Sequence, residues 1–203
     1  MFKIKAFLCH IIRFFVILCG LLRLNYVKDN HMLFINITFA CILAIRFYSL
    51  SISIRHEKAL IAKGAIQYGK RNSTLLSIAH VAFYFAAIIE ANKQNLSFNS
   101  TSQIGLAILI FAIAMLFYVI YELKEIWTVK IYILPEHQIN RSFLFKYVRH
   151  PNYFLNIIPE LIGLSLFCQA KYTALVGLPI YLLILAVRIK QEESAMSHLF
   201  PKS

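Results

Sequence analysis

The chain has 203 residues, 60% of them hydrophobic, and a mean hydropathy of +0.67. A soluble domain of this length would show polar faces between its apolar stretches. Here several stretches instead approach the ~20 apolar residues that carry a helix across a bilayer. The 21 Lys and Arg against 9 Asp and Glu leave a net charge of +12. That charge is confined to alternate loops, a pattern that argues against nucleic acid as a partner and for membrane lipid.

Residues 1–30 read as an N-terminal extension with a first membrane helix at 6–24. Lys3 and Lys5 before an apolar run resemble a secretory signal, but Arg13 interrupts the run and no small-x-small cleavage site follows. An uncleaved span or an interfacial helix is expected there. Residues 31–203 read as one membrane domain, with spans at 33–54, 74–91, 103–121, 152–168 and 173–188. The last two are short and interrupted by Pro159 and Pro179, which is tolerated where protein or a wet cavity satisfies the backbone. The expected fold is all-α: a polytopic transmembrane bundle of five to six spans, closed by a C-terminal helical hairpin.

Lys and Arg in short loops mark the cytoplasmic side. Residues 55–72 hold Arg55, Lys58, Lys63, Lys70 and Arg71 against Glu57, and residues 122–150 hold Lys124, Lys130, Arg141, Lys146 and Arg149. The 92–102 turn has Lys93 and the hairpin tip has Lys171. Six spans put the rich loops and both termini inside. Cys9, Cys19, Cys41 and Cys168 all fall in apolar segments without a Cys-x-x-Cys pair, so buried thiols are expected rather than a disulfide framework. The seven histidines show no ligand spacing, and no metal is expected.

Ionisable groups are costly in hydrocarbon, and they gather in the C-terminal third. Arg149, His150, Pro151, Asn152 and Tyr153 stand at the mouth of the hairpin, Glu160 lies inside its first arm, and Arg188, Glu192 and Glu193 end its second. Pro151 favours a first helical position and pushes His150 out of the α region. The helix start then offers amide donors and a positive dipole end to an anion. Tyr153 and Glu160, seven residues apart, would share a face of a regular helix; Arg188 and Glu192, four apart, would share another. A tight hairpin returns Arg188 to the level of His150. Carboxylates at a helix C-terminus oppose the macrodipole, so Glu192 and Glu193 need either a longer helix or partners.

These residues resemble the isoprenylcysteine carboxyl methyltransferase family in its compact bacterial form. The matching pieces are Arg-His-Pro-Asn-Tyr at 149–153, Glu160, Thr173-Ala174, and Arg188-Ile189 with Glu192-Glu193. Upstream, Trp127 with residues 130–135, Gly64-Ala65 with Tyr68-Gly69, His80, Arg46 and Arg55 also resemble it, so that the likeness runs over residues 33–196. The resemblance implies an integral membrane enzyme using S-adenosylmethionine without a Rossmann domain. His150, Pro151 and Tyr153 would contact the cofactor, and Arg188 and Glu192 would order the active site. The residues agree in outline: Arg149 and His150 suit a carboxylate, and Glu192 or Glu193 suits ammonium or ribose hydroxyls. Arg188 is the choice for orienting an acceptor carboxylate, and Glu160 or His150 the base for a phenol or enol.

The implied acceptor is lipid-borne, a prenylated cysteine or a phenolic or pyrone lipid. The implied location is the cytoplasmic membrane of a bacterium or the endoplasmic reticulum of a eukaryote. The family commonly has Gly-Pro-Tyr just before Arg-His-Pro, where this chain reads Phe143-Leu144-Phe145. NADPH-dependent sterol reductases share Arg-His-x-Asn-Tyr but follow it with Gly-Asp, where this chain has Leu155-Asn156. A catalytically idle membrane scaffold is the third alternative.

Overall fold

A computed structural model describes residues 31–134 and 148–196. The expected first span at 6–24, Cys9, Cys19 and Phe143-Leu144-Phe145 lie outside those residues. Four described helices are long and apolar enough to cross a membrane: α1 (His31–Ala62), α2 (Lys70–Lys93), α3 (Ser100–Leu123) and α5 (Lys171–Met196). The shorter α4 (Asn152–Phe167) completes the set. The protein is an all-α membrane bundle, as its hydropathy requires.

Its surface is inside out relative to a soluble protein. On α5, Tyr172, Val176, Ile180, Leu183 and Val187 face outward as an apolar stripe, while Tyr181, Leu185 and Arg188 are buried. Such extensive exposed apolar faces belong against lipid. Association of helices in lipid then depends on close packing and interhelical hydrogen bonds. The closest approach is between α3 and α4, where Gly105 and Gly163 face each other. A Cβ at Gly105 would strike the Phe167 amide nitrogen and the Gly163 carbonyl, and one at Gly163 would meet the Gly105 carbonyl and the Leu109 amide nitrogen. Leu106, Leu109, Ile113, Leu161, Leu164 and Phe167 are buried in the same core.

α5 packs chiefly on α2, where Gly177 lies against the Phe83 ring. The two hairpin arms thus find their main partners elsewhere, α4 on α3 and α5 on α2, and also touch each other. Pro179 does not break α5, which runs continuously to Met196. At the outer end, Asn99 caps α3 by accepting from the Ser102 amide at 3.1 Å. Glu90 of α2 caps α5, accepting from the Tyr172 and Thr173 amides at 3.0 and 2.8 Å.

At the opposite end, a short antiparallel ribbon pairs β1 (Ile66–Tyr68) with β2 (Ile131–Ile133), matching Gln67 with Tyr132. This ribbon ties the two basic loops together, which places them on one side of the bilayer as their charge predicts. Ile131, Ile133 and Ala195 form a small apolar cluster that docks the ribbon on the end of α5.

The glycine contact generates a first prediction. Gly105→Ala puts a methyl into backbone, and overpacking of this kind costs about 1–3 kcal/mol. Its thermal unfolding midpoint in detergent should fall further than that of Gly163→Ala, whose added Cβ sits at a looser 3.0 Å from its nearest neighbours.

Candidate functional site

The first turns of α4 are not α-helical. Asn152–Ile157 forms a π-helical segment, closed by the Ile158 amide donating to the Tyr153 carbonyl five residues back. Pro159 supplies the local reason: it lacks an N–H, and in an α-helix its ring would crowd the Leu155 carbonyl. Widening the helix relieves that clash, and π turns of this kind recur at functional sites. The consequence is a phase change. Tyr153 and Glu160 do not share one polar cluster, as seven residues of regular helix would arrange, but serve two.

The first cluster sits at the end of the bundle that carries the ribbon and the basic loops. His150 is buried and its ring stacks on Tyr153, centroids 5.7 Å apart. The Tyr153 hydroxyl donates to Glu192 Oε2 at 2.5 Å and accepts from Arg188 Nε at 3.1 Å. His150 Nε2 lies 3.3 Å from Glu193 Oε1, and Nδ1 lies 3.7 Å from Glu192 Oε1. The polar contact with the Glu192 carboxylate, and then the neighbouring Glu193, raises the His150 pKa against the opposing effect of burial. Pro151 is buried beside it, and Arg149 is exposed at the rim.

Arg188 is 2% exposed and joins three elements. Beyond Tyr153 on α4, it donates through Nη1 to Ser73 Oγ of α2 and through Nη2 to the Val129 carbonyl at 2.8 Å. The expected gathering of Arg188, His150, Tyr153, Glu192 and Glu193 is therefore present. Partners for Glu192 and Glu193, which the macrodipole argument requires, are Tyr153 and His150. Arg188, however, reaches protein groups through Nε, Nη1 and Nη2, which suits it to organising the site more than to seizing an acceptor carboxylate.

The second cluster lies deeper. Glu160 is fully buried and paired with Arg46 of α1, and it also accepts from the Tyr84 hydroxyl. Arg46 Nη2 donates to Asn156 Oδ1 at 3.0 Å. His80 stacks on Tyr84 at 5.0 Å and lies 3.3 Å from the Tyr181 hydroxyl. Arg46 and His80 are thus helix-contact groups, and Glu160 is the anion that holds α1, α2 and α4 together.

Reading the chain linearly misses Ser73, Tyr84, Asn156 and the Val129 carbonyl. A signal for some of them exists: Ser73, Ser77, His80 and Tyr84 form a polar stripe at helical spacing on α2. A backbone carbonyl leaves no such trace.

Among the described residues, Trp127 Nε1, His150 Nδ1 and Gln191 Oε1 are buried without a hydrogen-bond partner. Unsatisfied buried polar atoms are costly in a native protein. Of these, His150 Nδ1 stands beside the Glu192 and Glu193 carboxylates, a donor next to acceptors that suits a polar, zwitterionic ligand. No group of His, Cys, Asp and Glu among the described residues could hold a metal ion.

Residues 104–198 match the model of the Isoprenylcysteine carboxyl methyltransferase (ICMT) family. Over that stretch, a little under half of the chain, the protein is similar to this family, and the stretch contains the residues of the first cluster from Arg149 to Glu193. "Uncharacterized protein YpbQ" of Bacillus subtilis (strain 168) is 25% identical over 161 residues, 77% of this chain and 93% of that protein. No solved structure matches the chain.

Two predictions follow from the clusters. Glu160→Leu alone leaves the Arg46 guanidinium buried without its anion, a loss of about 3–5 kcal/mol. The double variant Arg46→Leu, Glu160→Leu should recover most of it in thermal unfolding; simply additive losses would refute the pairing. Separately, a folded-state pKa of His150 above its unfolded value of about 6.5 stabilises fully below that value and loses this contribution as pH rises through the folded one. The difference in unfolding midpoint between wild type and His150→Gln should therefore shrink as pH rises from 6 through 9.

Proposed function

We propose that the protein is an S-adenosylmethionine-dependent O-methyltransferase of the isoprenylcysteine carboxyl type, acting on a carboxyl or hydroxyl group of a lipid-borne acceptor at the cytoplasmic membrane face. The observation that carries this reading is the interlocked His150, Tyr153, Arg188, Glu192 and Glu193 at the basic end of the bundle, inside the family-matched stretch. S-adenosylmethionine, when bound, supplies a sulfonium methyl for in-line displacement.

Each side chain has a part in this reading. Glu192 and Glu193 accept from ammonium or ribose hydroxyls, and Arg149 with protonated His150 receives the ligand carboxylate. Pro151 starts the helix that sets His150, and Tyr153 holds Glu192. Arg188 orders Tyr153 and α5, and Glu160 fixes α4 from below through Arg46. An acceptor carboxylate is already ionised at neutral pH and needs no base. Holding it in near-attack geometry supplies much of the acceleration. The exposed apolar faces of the bundle let a lipid acceptor arrive from the bilayer, while the charged ligand arrives from the cytosol.

Isothermal titration of purified protein with S-adenosylhomocysteine tests the reading. Wild type should bind, and His150→Ala and Glu192→Ala should each bind at least about tenfold more weakly, a loss of about 1.4 kcal/mol or more. Equal binding by all three removes these residues from the site. Binding of NADPH in place of S-adenosylhomocysteine would move the protein to the reductase class.

A further inference from the structure

We propose that Ser53 is a positioning residue for this site, acting on Arg188 through the strap formed by residues 127–130. The inference rests on the methyltransferase reading only for the identity of the ligand. Ser53 is fully buried near the inner end of α1. Its Oγ donates to Glu57 Oε1 at 3.0 Å and accepts from the Val129 amide at 2.9 Å. Glu57 Oε2 in turn receives the Lys130 ammonium at 2.7 Å. One turn along the same face, His56 Nδ1 donates to the Trp127 carbonyl at 2.8 Å. Thr128 Oγ1 donates to the Lys130 carbonyl at 2.7 Å, tightening the strap on itself.

α1 thus grips the strap at three successive points, and none of these groups touches the His150 cluster. The strap passes the constraint on. Val129 is held through its amide by Ser53 and through its carbonyl by Arg188 Nη2. Arg188 then fixes the Tyr153 hydroxyl, which holds Glu192. Removing the Ser53 hydroxyl leaves the Val129 amide without its partner and frees the carbonyl to turn away from Arg188. A buried amide rarely stays unpaired, so the strap must shift rather than wait. The Trp127 side chain, the chain's single tryptophan and 2% exposed, rides on the strap and reports its position.

The experiment compares full-length wild type, Ser53→Ala and Ser49→Ala in detergent. Ser49 is a matched control: it is buried on the same helix, but its hydroxyl donates only to the Arg46 carbonyl of its own turn. Two readouts are taken, S-adenosylhomocysteine affinity by titration and Trp127 emission with acrylamide quenching. Ser53→Ala should weaken binding about tenfold, the worth of one buried hydrogen bond, red-shift Trp127 and raise its quenching. Ser49→Ala should leave both readouts at wild-type values while losing comparable thermal stability. Equal behaviour of the two variants overturns the proposal. If wild type binds no S-adenosylhomocysteine, the ligand assignment fails, and the Trp127 comparison alone decides whether Ser53 holds the strap.

Discussion

The guanidinium of Arg188 is the interaction on which the ribbon end of this bundle depends. It is buried almost completely, yet it faces three elements far apart in the chain: Ser73 on α2, Tyr153 on α4 and the Val129 carbonyl between α3 and β2. A planar fork with five donors suits such a junction, and an ammonium in its place would not span the same partners. With Nε, Nη1 and Nη2 each engaged by protein groups, the Glu192 and Glu193 carboxylates are left to Tyr153 and the His150 imidazole. The site is built by an arginine that need not itself touch what binds there.

A second buried arginine performs the analogous task deeper in the bundle. Arg46 meets Glu160 and Asn156, and Tyr84 closes the carboxylate from α2. Charges in hydrocarbon survive only when paired and hydrogen-bonded, so each cluster acts as a lock with few alternative arrangements. The two locks flank the π segment of α4, which separates their phases. Without that segment Tyr153 and Glu160 would compete for one face, and a single crowded cluster would replace the two.

The arrangement sets a cluster of charged side chains at one end of the bundle, beside helix faces whose exposed apolar residues suit lipid. The small ribbon docks on the end of α5, and the strap at residues 127–130 runs between α1 and Arg188. The strap is held by Ser53, His56 and Glu57 of α1. In lipid, where apolar contact alone gives little drive for helix association, such hydrogen bonds and the Gly105–Gly163 contact carry a large share of the packing.

The chain's hydropathy and loop charges by themselves determined that it is a helical membrane protein, that its basic loops share one end, and that ionisable side chains gather at residues 149–153 and 188–193. Those features are local: apolar length, Lys and Arg in loops, and ionisable groups too costly for lipid without a purpose. The partners were decided by tertiary structure. Helix spacing alone assigned Tyr153 and Glu160 to one face, but the missing amide of Pro159 widened the helix and parted them. Around Arg188 the fold sets Ser73 and the Val129 carbonyl, both distant in sequence. A backbone carbonyl has no signature in the sequence, and a guanidinium takes its role from whatever the fold sets within its reach.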